Sequence, residues 1–67
     1  MIGKTGRLTG AVGPGLTGAI ILPVRGGSEE FYAYPAIDGQ SITTGTRVIV
    51  TDFEAPRDVY VAPYGQV

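Results

Sequence analysis

Glycine and proline interrupt this chain so often that no long regular element can form. Eleven glycines and five prolines fall among 67 residues, and they stand between short apolar runs. Inside a helix, Gly costs about 1 kcal/mol and Pro about 3 kcal/mol relative to Ala. No stretch carries the apolar spacing of an amphipathic helix, whereas five runs alternate residue by residue. Many short strands joined by tight turns are the expected outcome.

The first run is Thr5 to Val12, with Leu8 and Val12 on one parity and Arg7, Thr9 and Ala11 on the other. Gly13-Pro14-Gly15 turns the chain, because Gly admits positive φ and Pro fixes its own. The second run is Gly18 to Val24, with Ile20 and Leu22 opposite Ala19 and Ile21. Pro23 has no N–H and belongs at an edge or a strand end. Gly26-Gly27-Ser28 is the next turn, before a third run from Glu29 to Ala36. There Phe31 and Ala33 share one face, Tyr32 and Tyr34 the other. The connection from Ile37 to Gly45 holds Asp38-Gly39, a turn pair, and is too poor in helix formers to coil. The fourth run is Thr46 to Phe53, with Val48 and Val50 on one face and Arg47, Ile49 and Thr51 on the other. After Glu54-Ala55-Pro56-Arg57, the fifth run, Asp58 to Ala62, sets Val59 and Val61 against Tyr60. Pro63 to Val67 reads as a fraying tail.

Five strands in so short a chain leave too little sheet to stack as a sandwich. Closing one bent sheet into a barrel hides its edges. The expected fold is therefore all-β, a small five-stranded barrel formed by residues 1–67 as one domain. Its expected core is Leu8, Val12, Ile20, Leu22, Phe31, Ala33, Ile42, Val48, Val50, Val59 and Val61, with a single aromatic ring and with Ile42 plugging one end.

Composition excludes several chemistries. The chain has no Cys and no His, so it offers no thiolate, no disulfide and no imidazole base or ligand. No metal site and no cofactor are expected. No apolar run exceeds four residues, against the roughly 20 that a membrane span needs. With no leader apparent either, the expected location is the cytoplasm, reaching a membrane face only through a partner or an anchor outside this sequence. Five basic and six acidic residues give a formal net charge of −1, too weak a field to hold nucleic acid by charge.

The individual motifs read as structure. Gly3-Lys4-Thr5 has the end of a phosphate-binding loop, yet only two residues precede it, so neither the required strand nor the first glycine fits. Glu29 and Glu30 are strand neighbours pointing to opposite faces, which prevents them from acting as an acid–base pair. The acids match no calcium-loop spacing. Ser28 and Ser41 have no base to activate them. The chain is expected not to be an enzyme.

The strongest positive signal is on the outside. With Phe31 inward, Tyr32 and Tyr34 face solvent, joined by Ile21, Ile49 and Tyr60 on the outer parity of their own strands. Tyr carries large contact area with a polar tip and is enriched where proteins meet. Those five residues are the candidate partner-binding set. The alternative is stacking on single-stranded nucleic acid, which needs a basic groove. Lys4, Arg7, Arg25, Arg47 and Arg57 are scattered along the chain.

The order of these pieces resembles the C-terminal OB-type domain of NfeD-like proteins. The matching segments are Gly3-Lys-Thr-Gly6, Gly18-Ala-Ile20, Phe31-Tyr-Ala33, Ile42-Thr-Thr-Gly45-Thr-Arg-Val48-Ile-Val50 and Val59-Tyr-Val61-Ala-Pro63. The position of Phe31 is often Trp in that family. The resemblance implies a small five-stranded OB-like β-barrel without the usual helix between strands three and four, and no catalysis. It also implies an interaction module commonly tethered behind transmembrane helices and accompanying flotillin- or stomatin-like membrane scaffold proteins; the outward tyrosines and isoleucines leave self-assembly as the other expected partner. The absent membrane segment and the extra tyrosines depart from the family pattern.

Overall fold

The structure is a computed structural model that describes residues 2–64. Five strands form in chain order: β1 Thr5–Gly10, β2 Gly18–Val24, β3 Gly27–Pro35, β4 Arg47–Glu54 and β5 Asp58–Pro63. They close into a barrel in the order β1-β2-β3-β5-β4. All neighbours are antiparallel except β3 and β5, which run parallel with Ala33 beside Val59 and Tyr34 beside Tyr60. The ring shuts where β4 meets β1, with Thr5 facing Ile49 and Arg7 facing Arg47.

The expected core and the observed core coincide. Leu8, Val12, Ile20, Leu22, Phe31, Ala33, Ile42, Val48, Val50, Val59 and Val61 are all buried, and among the described residues no polar residue is buried with them. Period-two patterning is enough to fix a small barrel's interior, because a one-residue slip would turn every apolar side chain outward. The expectation of a single aromatic ring needs correction. Phe53 packs against the core, and its ring meets Phe31 edge-on at 6.4 Å between centroids. Strict alternation puts Phe53 outside with Thr51. A register shift between Val50 and Asp52 inserts an extra residue and carries Phe53 to the inner face.

Boundaries differ where hydrogen bonds extend or end a run. β3 starts at Gly27, because Gly27 and Ser28 pair with Val24 and Pro23. The turn is thus Arg25-Gly26, with Gly26 at φ 83°. Pro23 lies past Ile20, the last β2 residue paired to β1, so its missing N–H interrupts no bond there. β1 ends at Gly10 after a register shift, yet Val12 still enters the core through a bridge to Ile42. Gly18 makes this possible. A Cβ there would lie 2.4 Å from Val12 Cγ2 and 3.1 Å from the Ala11 and Gly10 carbonyl oxygens.

The connection between β3 and β4 has no helix, as expected. Its fastenings are local turns and bonds to the barrel. Val12 and Ile42 exchange backbone bonds of 2.9 and 2.8 Å, and Gly45 N–H donates to the Leu8 carbonyl at 2.8 Å. Ile42, 4% exposed, plugs that end. The tail expected from Pro63 begins later: Pro63 pairs with Val48, and Tyr64 N–H donates to the Arg47 carbonyl at 2.9 Å. Residues 65–67 lie outside the described part.

Candidate partner-binding surface

Strand order decides which outward side chains are neighbours. β2, β3 and β5 are consecutive in the ring, so Ile21, Tyr32, Tyr34 and Tyr60 occupy three adjacent strands. Ile21 stands opposite Glu30 and diagonal to Tyr32, which stands opposite Ala19. Ile21 is 49% exposed and Tyr32 54%. Tyr34 and Tyr60 share a register position, and their partly buried rings lie 5.7 Å apart with 38° between planes. The four make an aromatic and aliphatic band across the outer face.

Ile49 lies at the far side of that band, on β4 opposite Ala62 and so one diagonal step from Tyr60. It sits on β4 between Thr5 of β1 and Ala62 of β5, partly buried. β4 is two strands from β2 even by the shorter way round. In the five-stranded ring Ile21 and Ile49 therefore stand at opposite ends of the set.

Acidic groups frame the band. Asp58 stands beside Tyr32, and Glu54 stands opposite Asp58 across β4 and β5. The Tyr60 hydroxyl donates to Glu54 Oε1 at 3.4 Å. The Glu54 charge, with smaller contributions from desolvation and Asp58, raises the Tyr60 phenol above its ordinary value, since a nearby anion disfavours the phenolate. At the band's end, a hollow of about 350 Å³ is lined by Glu29, Glu30, Phe31, Tyr32 and Arg57. Arg57 spans it, donating to Glu29 Oε1 and to the Glu30 carbonyl, each at 3.0 Å. Its guanidinium lies 5.8 Å from the Phe31 ring centroid.

Two groupings escape sequence reasoning. Arg7 and Arg47, forty positions apart in the chain, face each other across β1 and β4. A second hollow, about 470 Å³, lies between the Gly13–Thr17 loop and Tyr34, Pro35, Asp38 and Gly39, with Leu16 exposed on its wall. Only the closed topology brings these pieces together. Among the described residues no group of three or more acidic side chains is placed to hold a metal ion, and no helix is long and apolar enough to cross a membrane.

Among the described residues five strands and no helix close in the order β1-β2-β3-β5-β4 around buried apolar side chains, the small-barrel architecture of the OB-type class. Comparison with known proteins narrows the class. The NfeD C-terminal domain matches residues 5–62, and the chain belongs to that family. The soluble domain of the NfeD protein YuaF from Bacillus subtilis, solved in solution, is similar at 28% identity and a TM-score of 0.76. The likeness covers 97% of this chain and 75% of that one. A search among curated proteins returned no match.

Proposed function

We propose that this barrel is a non-catalytic protein-interaction module whose partner is a flotillin- or stomatin-like membrane scaffold protein. Binding is through Ile21, Tyr32, Tyr34 and Tyr60. The observation that carries the reading is the exposed pair Ile21 and Tyr32 running into the tilted Tyr34–Tyr60 ring pair on the outside of the barrel. Half-exposed aliphatic and aromatic groups of this kind gain most when a partner excludes water from them. The scaffold class is supported by membership of the NfeD C-terminal family, whose members typically accompany such proteins. Through that partner the module acts at the cytoplasmic face of a membrane.

The test is capture of a purified scaffold protein by the immobilised chain. Ile21→Ser with Tyr32→Ser alters two exposed side chains and leaves the core intact. Capture should fall at least ten-fold, as loss of about 1.4 kcal/mol or more at a central contact implies. Undiminished capture by a folded double variant would reject this surface.

A further inference from the structure

Beyond the tyrosine band, the outer face of β4 carries charges in an arrangement the isolated barrel does not use. At one end, Arg47 faces Arg7 on β1. At the other, Glu54 faces Asp58 on β5. Like charges directly opposite on neighbouring strands repel and destabilise a sheet. Neither pair is neutralised within the molecule: among the described residues the one ion pair is Arg57–Glu29. Arg7 reaches only the Gly45 carbonyl, at 3.4 Å, and Arg47 lies against the Tyr64 ring, 5.6 Å from its centroid. The raised phenol of Tyr60 reports the field of the acidic pair on this side of the barrel.

The two pairs have opposite sign and are separated along one strand. From Arg47 to Glu54 the chain advances seven residues, roughly 23 Å at ~3.3 Å per residue. Partly buried Ile49 lies between them, flanked by Thr5 and Ala62. A two-fold axis through the middle of such a strand superimposes each end on the opposite end of its mate. That is the self-complementarity an isologous contact requires, in which residue i meets j and j meets i.

We propose that the outer face of β4 docks a second copy of this chain, antiparallel about a two-fold axis, with Arg7 and Arg47 of each copy against Glu54 and Asp58 of the other. Ile49 of the two copies lies near the axis and supplies the apolar centre. Each repulsive pair of the single barrel becomes half of an attractive quartet. The contact borders the tyrosine band, since Asp58 stands beside Tyr32 and Glu54 accepts from the Tyr60 hydroxyl, but it does not use Ile21 or Tyr32 themselves, so variants at those two residues separate the two surfaces. A standard interface of ~800 Å² per partner would take about a fifth of the chain's 4188 Å² surface, so a smaller, weak and salt-sensitive contact is expected.

The experiment is sedimentation equilibrium of the chain over a concentration series extending to millimolar. The mass should rise from 7.0 kDa toward twice that value at low salt. Association should weaken several-fold between about 0.01 M and about 0.1 M salt, as the screening length falls from ~30 to ~10 Å. Arg7→Glu with Arg47→Glu, and separately Glu54→Arg with Asp58→Arg, should each remain monomeric, while their equimolar mixture recovers association. Arg7→Gln with Arg47→Gln guards against misfolding. It removes the repulsion, so the monomer should melt no lower than the parent while association is lost. Ile21→Ser with Tyr32→Ser should associate like the parent even where scaffold capture is lost. A parent chain that stays monomeric at low salt, charge-reversed variants that associate normally, or a mixture that fails to recover would each overturn the proposal.

Discussion

The Arg57 guanidinium covers the Phe31 ring at 5.8 Å, and its Nη1 also reaches the Glu29 carboxylate at 3.0 Å. A turn residue between β4 and β5 thereby shields the one core side chain that retains 5% exposure. Backbone bonding fixes the arrangement, since Tyr32 N–H donates to the Arg57 carbonyl at 2.8 Å. Both side chains of the ion pair are about half exposed, at 49% and 50%, so the charge attraction alone is worth little.

Replacing Arg57 with Ala should cost about 1–2 kcal/mol, mostly from the stem and the guanidinium lost over Phe31 and from the unpaired Glu30 carbonyl. Glu29→Ala should cost less than about 1 kcal/mol. Chemical denaturation of both variants gives the comparison. If Glu29→Ala is as damaging as Arg57→Ala, the ion pair rather than the ring contact holds this end.

Phe31 and Phe53 should differ in cost and be coupled. Phe31 is almost fully buried, and truncation to Ala should cost about 3–5 kcal/mol. Phe53 is only partly buried, so Phe53→Ala should cost less. Their edge-on contact predicts a coupling of about 0.5–1.5 kcal/mol in a double-mutant cycle. Where Phe31→Ala leaves too little folded protein, Phe31→Leu supplies the cycle. Additive effects would remove the contact between the rings as a source of stability.

The difference between these two phenylalanines also marks what the sequence discloses. Phe31 lies in a run whose alternation is unbroken, with Ala33 behind it, so parity alone turns it inward. Phe53 follows a bulge, and no residue type at Thr51 or Asp52 announces an extra position. The same division holds outside. Tyr32 and Ile21 are legible as outward groups from their own strands. That Tyr34 lies against Tyr60 depends on β5 inserting between β3 and β4, and that Arg7 lies against Arg47 depends on β4 closing the ring on β1. Such long-range pairing leaves no trace in local patterning. The number and shortness of the strands pointed to a barrel, the family resemblance supplied its OB type, and strand parity supplied its core.

Gly18 should be nearly intolerant of a side chain. A methyl group there would have to displace Val12, which is 1% exposed, or the carbonyls of Gly10 and Ala11. Gly18→Ala is therefore expected to cost about 1–3 kcal/mol by overpacking. Gly27→Ala is the control. It meets nothing within 4 Å and has no positive φ, so its effect should stay within about 0.5 kcal/mol. Thermal melts of the two variants should separate clearly. Equal melting temperatures would mean that β1 and the following loop yield easily around Gly18.

Tyr60 gives a pH dependence with a definite sign. Its phenol is raised above the usual value, first by the charge of Glu54, so the folded barrel holds this proton more tightly than the unfolded chain does. Stability from this group is fully present below the unfolded tyrosine value near 10 and is lost as pH climbs through the higher folded value. Glu54→Gln removes the largest cause, so the Tyr60 titration should move down toward the ordinary phenol and the alkaline loss of stability should shrink. Phenolate absorbance, read as the difference between each protein and its Tyr60→Phe counterpart, isolates the group from the other tyrosines. If Glu54→Gln leaves that titration where it was, the 3.4 Å contact between the hydroxyl and the carboxylate does not persist in solution, and the charge acting on Tyr60 comes from Asp58 instead.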